Sequence, residues 1–401
     1  MWSRASGESS ESGSGASVFS LVNLFASLRT FAMGCLTSKP AEGGSTQPGS
    51  QPGSQPAAAA EEEAHIPIWE RRAKLDPKDY MFSKVSGETR VKTPGTVAGQ
   101  GFCIEDCTDA KLYLVDHSSQ VTVDECHRCV IFIGPTDGSV FARNCSGCTF
   151  VVATRQWRCR ECVDCNVITL CSSKPVVESS SQMRFGCWDF AGYAGFRDHL
   201  AQCQMSPWVN LWSNIHDFTP SADSYAYLDR GVSVETLVPD LPYDLVPELR
   251  REKSAAAEEY VPKTWGEPSL VPAMSDFAGR EETALIIFPA GSRADLDALA
   301  KDCIDHVSSL AGDDAVRLLH TNAITLGELA ERVQLYSSLP DAGKVCGTRG
   351  KSVGLRFCGY GVKAILDAYA ASLSSDKGSC HAICTDDEDL IEQFIFLGLK
   401  V

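Results

Sequence analysis

Positive charge is scarce in this 401-residue chain. Its 36 lysines and arginines face 52 acidic residues, for a formal net charge of −16. A nucleic-acid binder needs a basic face to displace counterions from phosphates, so that class is excluded. Long apolar runs are scarce too. The candidate nearest the N-terminus, Val18 to Ala26, is too short and too interrupted to cross a membrane as a helix. Glu8 and Glu11 spoil the positive flank that a signal peptide or mitochondrial presequence would carry. No glycine loop of the kind that cradles phosphates occurs. His117, His127 and His216 have no paired nucleophile or ligand spacing and read as structural or exposed.

Cysteine, by contrast, is plentiful. There are 18, and ten of them lie between Cys103 and Cys171. They belong to a phrase that recurs four times: Asp106-Cys107-Thr108-Asp109-Ala110, Glu125-Cys126-His127-Arg128-Cys129, Asn144-Cys145-Ser146-Gly147-Cys148 and Glu161-Cys162-Val163-Asp164-Cys165. The leading cysteines step by 19, 19 and 17 residues, and a short apolar run follows each phrase. A period near 20 with strands of four or five residues predicts a solenoid, in which small units bury their apolar faces by stacking. Cys126/Cys129 and Cys145/Cys148 also have zinc-ribbon spacing. A ribbon needs four ligands, however, and seven stand in register here. Ala110 breaks the first pair, and apolar strands follow where turn residues should. The favoured reading is buried, stacked thiols with no metal; zinc stays open as the alternative. Nothing marks a secreted chain, so a disulfide ladder is disfavoured.

Residues 1–65 are rich in Ser, Gly, Gln, Pro and Ala and read as disordered. Inside them, Met33-Gly34-Cys35-Leu36-Thr37-Ser38 matches the myristoylation pattern. Gly34 would take myristate and Cys35 palmitate. The motif works only if translation starts at Met33, and its null alternative is a chance match in a linker.

From Ile66 the composition is that of a folded chain. Val91 to Cys187 resembles the tubulin-folding cofactor C domain family. Asp76 to Ser83, Pro94 to Gln100, Glu178 to Ser181 and Trp212 to Pro220 carry the resemblance further, from Ile66 to Pro220, and the Met-Gly-Cys start matches one branch of the family. The resemblance implies a right-handed parallel β-helix over 66–230. It also implies a GTPase-activating protein for an Arf-like small GTPase in its GTP-bound form. The family's arginine finger lies in a Gln-Gln-Phe-Arg motif, and Arg155-Gln156-Trp157-Arg158 matches it here. Arg158 thus falls at the finger position and Gln156 at the neighbouring contact. Trp157, Glu178 and Phe218 match interface positions. By their residue types alone, Arg158 could not be chosen over Arg143, Arg155, Arg160 or Arg184, Glu178 would read as a solvated rung residue, and Phe218 as core.

Ser221 to Gly279 reads as connection and linker, charged and proline-rich over 231–280, with a helical stretch near Leu245 to Tyr260. From about 281 strands and helices alternate, which predicts an α/β domain over 281–401. The expected strands are Ala284–Phe288, Val316–His320, Val353–Phe357 and Cys380–Cys384. The helices are Ala294–Leu310, Leu326–Leu335 and Val362–Leu373. The resemblance implies a ferredoxin-like, nucleoside diphosphate kinase-like lobe. No phosphate-accepting motif surrounds His306, His320 or His381, so an inactive lobe is expected. The whole reads as a lipid-anchored activator, without cofactor, at the ciliary base or cytoplasmic face of the plasma membrane. The alternative is a non-catalytic tubulin-folding or scaffold protein.

Overall fold

The computed structural model describes residues 76–229, 231–250, 261–264, 266, 282–289, 295–311, 316–326, 350–375 and 382–395. The motif at 33–38, His381 and most of the helix expected at 326–335 lie outside these residues.

The first region is a parallel β-solenoid. Its strands are β1 (Met81–Ser83), β2 (Thr89–Lys92), β3 (Phe102–Glu105), β4 (Lys111–Leu114), β5 (Val121–Asp124), β6 (Val130–Arg143), β7 (Thr149–Arg160), β8 (Asn166–Cys171), β9 (Val176–Glu178), β10 (Met183–Cys187), β11 (His216–Asp217) and β12 (Tyr225–Tyr227). Helix α1 (Phe196–Gln202) interrupts the winding. Every strand pairing is parallel, in two ladders. One ladder runs β1, β3, β5, the second half of β6 and of β7, β9 and β11. The other runs β2, β4, the first half of β6 and of β7, β8, β10 and β12. β6 and β7 pass through both.

The repeated phrase is the corner between the ladders. Within each copy, residues three apart take left-handed φ: Asp106 and Asp109, Glu125 and Arg128, Asn144 and Gly147, Glu161 and Asp164. Each cysteine follows a left-handed residue, points inward, and donates its thiol to the carbonyl two residues back. Cys107 reaches Glu105 O at 3.2 Å, Cys145 reaches Arg143 O at 3.2 Å, and Cys148 reaches Ser146 O at 3.5 Å. The thiols are buried to within 1% and unpaired. The corner also occurs where no cysteine marks it. Lys84/Gly87 and Ser179/Gln182 have the same φ pattern, and the bridge line runs from Ser86 through Thr108, His127, Ser146 and Val163 to Ser181. At the last corner Ser180 replaces cysteine and makes the same bond, Oγ to Glu178 O at 2.8 Å.

The two ladders differ in what covers them. Leu112, Ile131, Phe150 and Val167 fill the interior from the second ladder. Its other side, Tyr113, Phe132, Val151 and Ile168, is buried under Trp188, Phe190, Tyr193, Phe196 and Leu200. A strand buried on both faces reads as a continuous apolar run, which accounts for the runs after each phrase. Part of the stretch expected to be linker belongs to this cover. Helix α2 (Val234–Leu237) and Val238, Leu241, Val246 and Leu249 are buried in the same cluster. The first ladder instead alternates inward Ile104, Val123, Ala142 and Cys159 with outward polar residues.

The second region is an antiparallel sheet of β13 (Glu282–Phe288), β14 (Val316–Leu326), β15 (Gly350–Gly359) and β16 (Ile383–Thr385), ordered β14-β15-β13-β16. Helices α3 (Leu296–Ala311) and α4 (Val362–Ser375) pack on one face, and α5 (Glu388–Ile395) on the other. Trp208, from the solenoid side, is 1% exposed within the α3–α4 core. Its indole N–H donates to Asp297 Oδ1 at 2.7 Å, and its carbonyl accepts from Thr321 Oγ1 at 2.7 Å. Asp297 also binds Lys351 Nζ at 2.8 Å and the Arg197 guanidinium.

Burial opposes ionisation of Asp297, but Lys351, Arg197 and Trp208 outweigh it and hold the carboxyl below its ordinary value. A depressed folded-state pKa contributes stability above the unfolded value and loses it as pH falls through the folded one. Asp297→Ala should therefore destabilise the chain by about 2 kcal/mol at neutral pH, as expected for charged hydrogen bonds. The gap should begin to narrow as pH falls below about 4 and go on shrinking toward the lower, folded-state value. Urea unfolding of both proteins across pH 3–7 checks this; an equal gap at both ends would remove Asp297 as the tie.

Candidate functional site

The open ladder carries the residues picked out by sequence. From Gln156 onward β7 alternates sides: Gln156, Arg158 and Arg160 point outward, while Trp157 and Cys159 point inward. Phe141, Arg158, Val176 and His216 stand side by side across β6, β7, β9 and β11. One outward row further on are Arg143, Arg160 and Glu178. The Phe218 backbone N–H donates to Val177 O at 2.9 Å, which sets it beside Glu178. With strands about 4.8 Å apart and same-face residues about 6.6 Å apart, Arg158, Glu178 and Phe218 share one patch roughly 10 Å across. Phe218 is 59% exposed, against the core position its residue type suggests, and its ring packs edge-on against His216 at 4.5 Å.

Trp157 does not belong to this surface. It is fully buried inside the solenoid, edge-on to Phe150 at 5.0 Å. Outward placement of Arg158 on an extended strand forces its neighbour inward, so the expected interface contact at Trp157 is replaced by a core position.

The arginines separate cleanly. Arg128 binds Asp109, and Arg143 binds Asp124, each through two hydrogen bonds. Arg155 is held by Asp137 and by Cys203 O, Arg160 by Glu161, and Arg184 by Asp164 and Asn166. Arg90 pairs with Glu88. Arg158 alone among these rung arginines makes no hydrogen bond or ion pair with the described residues. Its Nε is buried without an acceptor, and its guanidinium carbon lies 5.3 Å from the Phe141 ring centre. A cation over an aromatic face is worth about 0.5–1 kcal/mol at an exposed site, enough to bias the side chain's position without occupying its donors. Gln156, half-buried two residues before Arg158, shares its side of the strand.

Of the histidines, His127 bonds Ser146 Oγ at 2.8 Å on the surface. His117 meets Asp116 and His199. That cluster had no signal in the sequence, because His199 comes from helix α1, far along the chain, and Asp116 precedes His117 in an ordinary turn.

The sequence model for Tubulin binding cofactor C matches residues 99–218. Protein XRP2 of Gallus gallus is 36% identical over 307 residues, covering 75% of this chain and 80% of that one. Protein XRP2 of Danio rerio is 35% identical over 276 residues, covering 65% and 70%. Among solved structures, Tubulin Binding Cofactor C from Leishmania major is 22% identical with a TM-score of 0.26, covering 35% of this chain and 89% of that one.

The two neighbours on β7 should respond oppositely to truncation. Trp157→Ala empties an interior site and should cost about 3–5 kcal/mol. Arg158→Ala removes a side chain with no hydrogen-bonded or ionic partner and should cost no more than about 1 kcal/mol, the worth of its contact with Phe141. Denaturant midpoints of the two variants decide the matter; similar losses would mean that Arg158 is a structural residue.

Proposed function

The chain belongs to the XRP2 family, and from that premise we propose that it is a GTPase-activating protein that supplies Arg158 in trans to a GTP-bound Arf-like small GTPase. The observation that carries this reading is the uncommitted state of Arg158 on the open ladder, with Glu178 and the exposed ring of Phe218 beside it. In phosphoryl transfer, negative charge spreads over the γ-phosphoryl oxygens, and a guanidinium offers several donors with a charge that does not titrate. An arginine already paired to a carboxylate would have to break that pair first. Gln156 takes the adjacent contact, while Glu178 and Phe218 hold the partner. The chain is thus an activator of an enzyme rather than an enzyme.

The second lobe has the chain order βαββαβ and an antiparallel sheet in the order fourth-first-third-second. This supports a ferredoxin-like reading and kinship with nucleoside diphosphate kinase. His306 lies exposed on α3 against Tyr369, 5.1 Å between ring centres, with no catalytic partner assigned, and we read the lobe as inactive. The place of work is the cytoplasmic face of the plasma membrane and the ciliary base, reached through myristate on Gly34 and palmitate on Cys35, where switching off the GTPase would govern lipidated cargo. The Tubulin binding cofactor C match supports a second reading, a tubulin-folding or scaffold role without catalysis.

Arg158→Ala should lower stimulated GTP hydrolysis by roughly 10³–10⁵-fold, the worth of a finger supplied in trans. Affinity for the GTP-loaded partner should change little, because the interaction forms only in the transition state. Lysine should not rescue it, whereas Glu178→Ala and Phe218→Ala should weaken binding. Single-turnover hydrolysis and affinity on the same proteins, against a panel of Arf-like GTPases, test this. Near-normal stimulation by Arg158→Ala moves the finger elsewhere, and no stimulation by the parent chain favours the tubulin reading.

For the anchor, Gly34→Ala should leave the protein in the soluble fraction. Cys35→Ser should leave only weak, reversible membrane association, as one myristoyl chain gives about 10⁴ M⁻¹. Intact-mass analysis from native cells checks the modification; a chain that retains Met1 without acyl groups removes it.

A further inference from the structure

We propose that Asp116, His117 and His199 form a binding site for a divalent transition-metal ion, with zinc best matched by the donor set. The three donor atoms lie within 4.8 Å of one another. Asp116 is fully buried. Its Oδ2 accepts the Val97 and Ala98 N–H groups, both at 2.8 Å. Its Oδ1 accepts the His117 N–H at 2.8 Å and faces both imidazoles, His117 Nδ1 at 3.1 Å and His199 Nε2 at 3.7 Å. Four-coordinate zinc holds nitrogen and oxygen about 2.0–2.2 Å away, which sets neighbouring ligand atoms about 3.3 Å apart. The two observed separations bracket that value.

A hydrogen-bonded cluster explains less. Backbone N–H groups already bind the Asp116 carboxylate and His117 Nδ1 lies within hydrogen-bond distance of Oδ1, but 3.7 Å is too long for a bond from His199 Nε2. Tyr193 holds the Nδ1 side of the second imidazole, but its Nε2, aimed at this carboxylate, makes no bond to it. A shared cation gives that nitrogen a partner. A bound cation would replace the His117 Nδ1–Oδ1 contact, taking Oδ1, that nitrogen of His117 and His199 Nε2 as its three protein ligands.

The surroundings have the form of an outer shell. Tyr193 Oη binds His199 Nδ1 at 2.7 Å and leaves Nε2 as the ligand. Gly134 makes room for this, since a Cβ there would lie 3.1 Å from Tyr193 Oη and 2.5 Å from Asp116 O. Burial lowers the pKa of His199, partly offset by Asp116, and so favours the neutral ring a metal needs. Burial opposes ionisation of Asp116, but the Ala98, Val97, His117 and Gly95 N–H groups outweigh it and keep the carboxylate ionised. The side chains of His117 and His199 are 20% and 11% exposed, so an ion can enter and water can complete the coordination. No cysteine takes part, so this site is separate from the stacked thiols.

Cobalt(II) is the probe, added to the full chain after treatment with a chelator. One equivalent should bind with weak visible bands of nitrogen and oxygen ligation and no strong sulfur-to-cobalt charge transfer, and zinc should displace it. His117→Asn and His199→Gln should each weaken binding by at least about 100-fold, and Tyr193→Phe by about 10–100-fold, as loss of an outer-shell partner does. Circular dichroism of the metal-free variants separates loss of ligand from loss of fold. His117 keeps about 20% of its side chain exposed, and Tyr193→Phe keeps the ring. Absence of stoichiometric cobalt, a thiolate-type spectrum, or binding unchanged in the folded histidine variants would overturn the proposal.

Discussion

The solenoid depends on one repeated corner. Two residues three apart adopt left-handed φ, and where a cysteine follows either of them its thiol turns inward to bond the carbonyl two residues back. A left-handed non-glycine residue costs roughly 1–2 kcal/mol. Aspartate, asparagine or glycine fills several of these positions, as that cost favours. The inward place favours a small residue, because rungs stack at strand spacing, and one with a donor for the corner carbonyl, though Val85, Ala110 and Met183 fill it without that donor. Cysteine meets both demands, and Ser180 meets them at the last corner. Burial pushes the Cys171 thiol of the same interior up to about 11, which keeps it a neutral packing element.

From the corner follows an asymmetry that decides where a partner can dock. The ladder whose strands are apolar on both sides must be covered, and residues 188–205 and 234–249 supply most of that cover. The alternating ladder needs none and keeps its outward residues for solvent or partners. Along it, charged residues of adjacent rungs lie opposite one another, which sets Arg143 against Asp124, and the stacked corners do the same with Arg128 and Asp109.

Much of the solenoid was legible because its corners repeat in residue type as well as shape. The rungs at Val85 and Ser180 were not, since each keeps the backbone geometry without the cysteine. The strands of the open ladder were hidden for a related reason: Phe102-Cys103-Ile104-Glu105 and Val121-Thr122-Val123-Asp124 alternate, so they lack the apolar run that marks their neighbours. Val238 and Leu241 looked like linker because scattered apolar residues between prolines have no period; only the surface they cover shows their purpose. In the second lobe the expected strands Ala284–Phe288 and Val353–Phe357 fall within β13 and β15, while helix α5 was missed in an acidic stretch. At the patch, residue type suggested a buried Phe218, whereas strand alternation puts Trp157 inside and leaves Phe218 out.

That alternation bears on what an arginine on this ladder can do. A rung arginine opposite a carboxylate one coil away forms a pair whose two bonds consume the donors a phosphate would need. Arg143 and Arg128 are in that state. Arg158 has Phe141 on one neighbouring rung and Val176 on the other, so its row supplies a ring and an aliphatic side chain but no acid. The ring can bias the guanidinium without neutralising it. Catalytic power comes from interactions that strengthen only as charge develops, and a group that need not first leave an ion pair applies its whole interaction at that moment. The absence of a carboxylate from one row of the ladder is therefore a physical argument for Arg158 that needs no family motif.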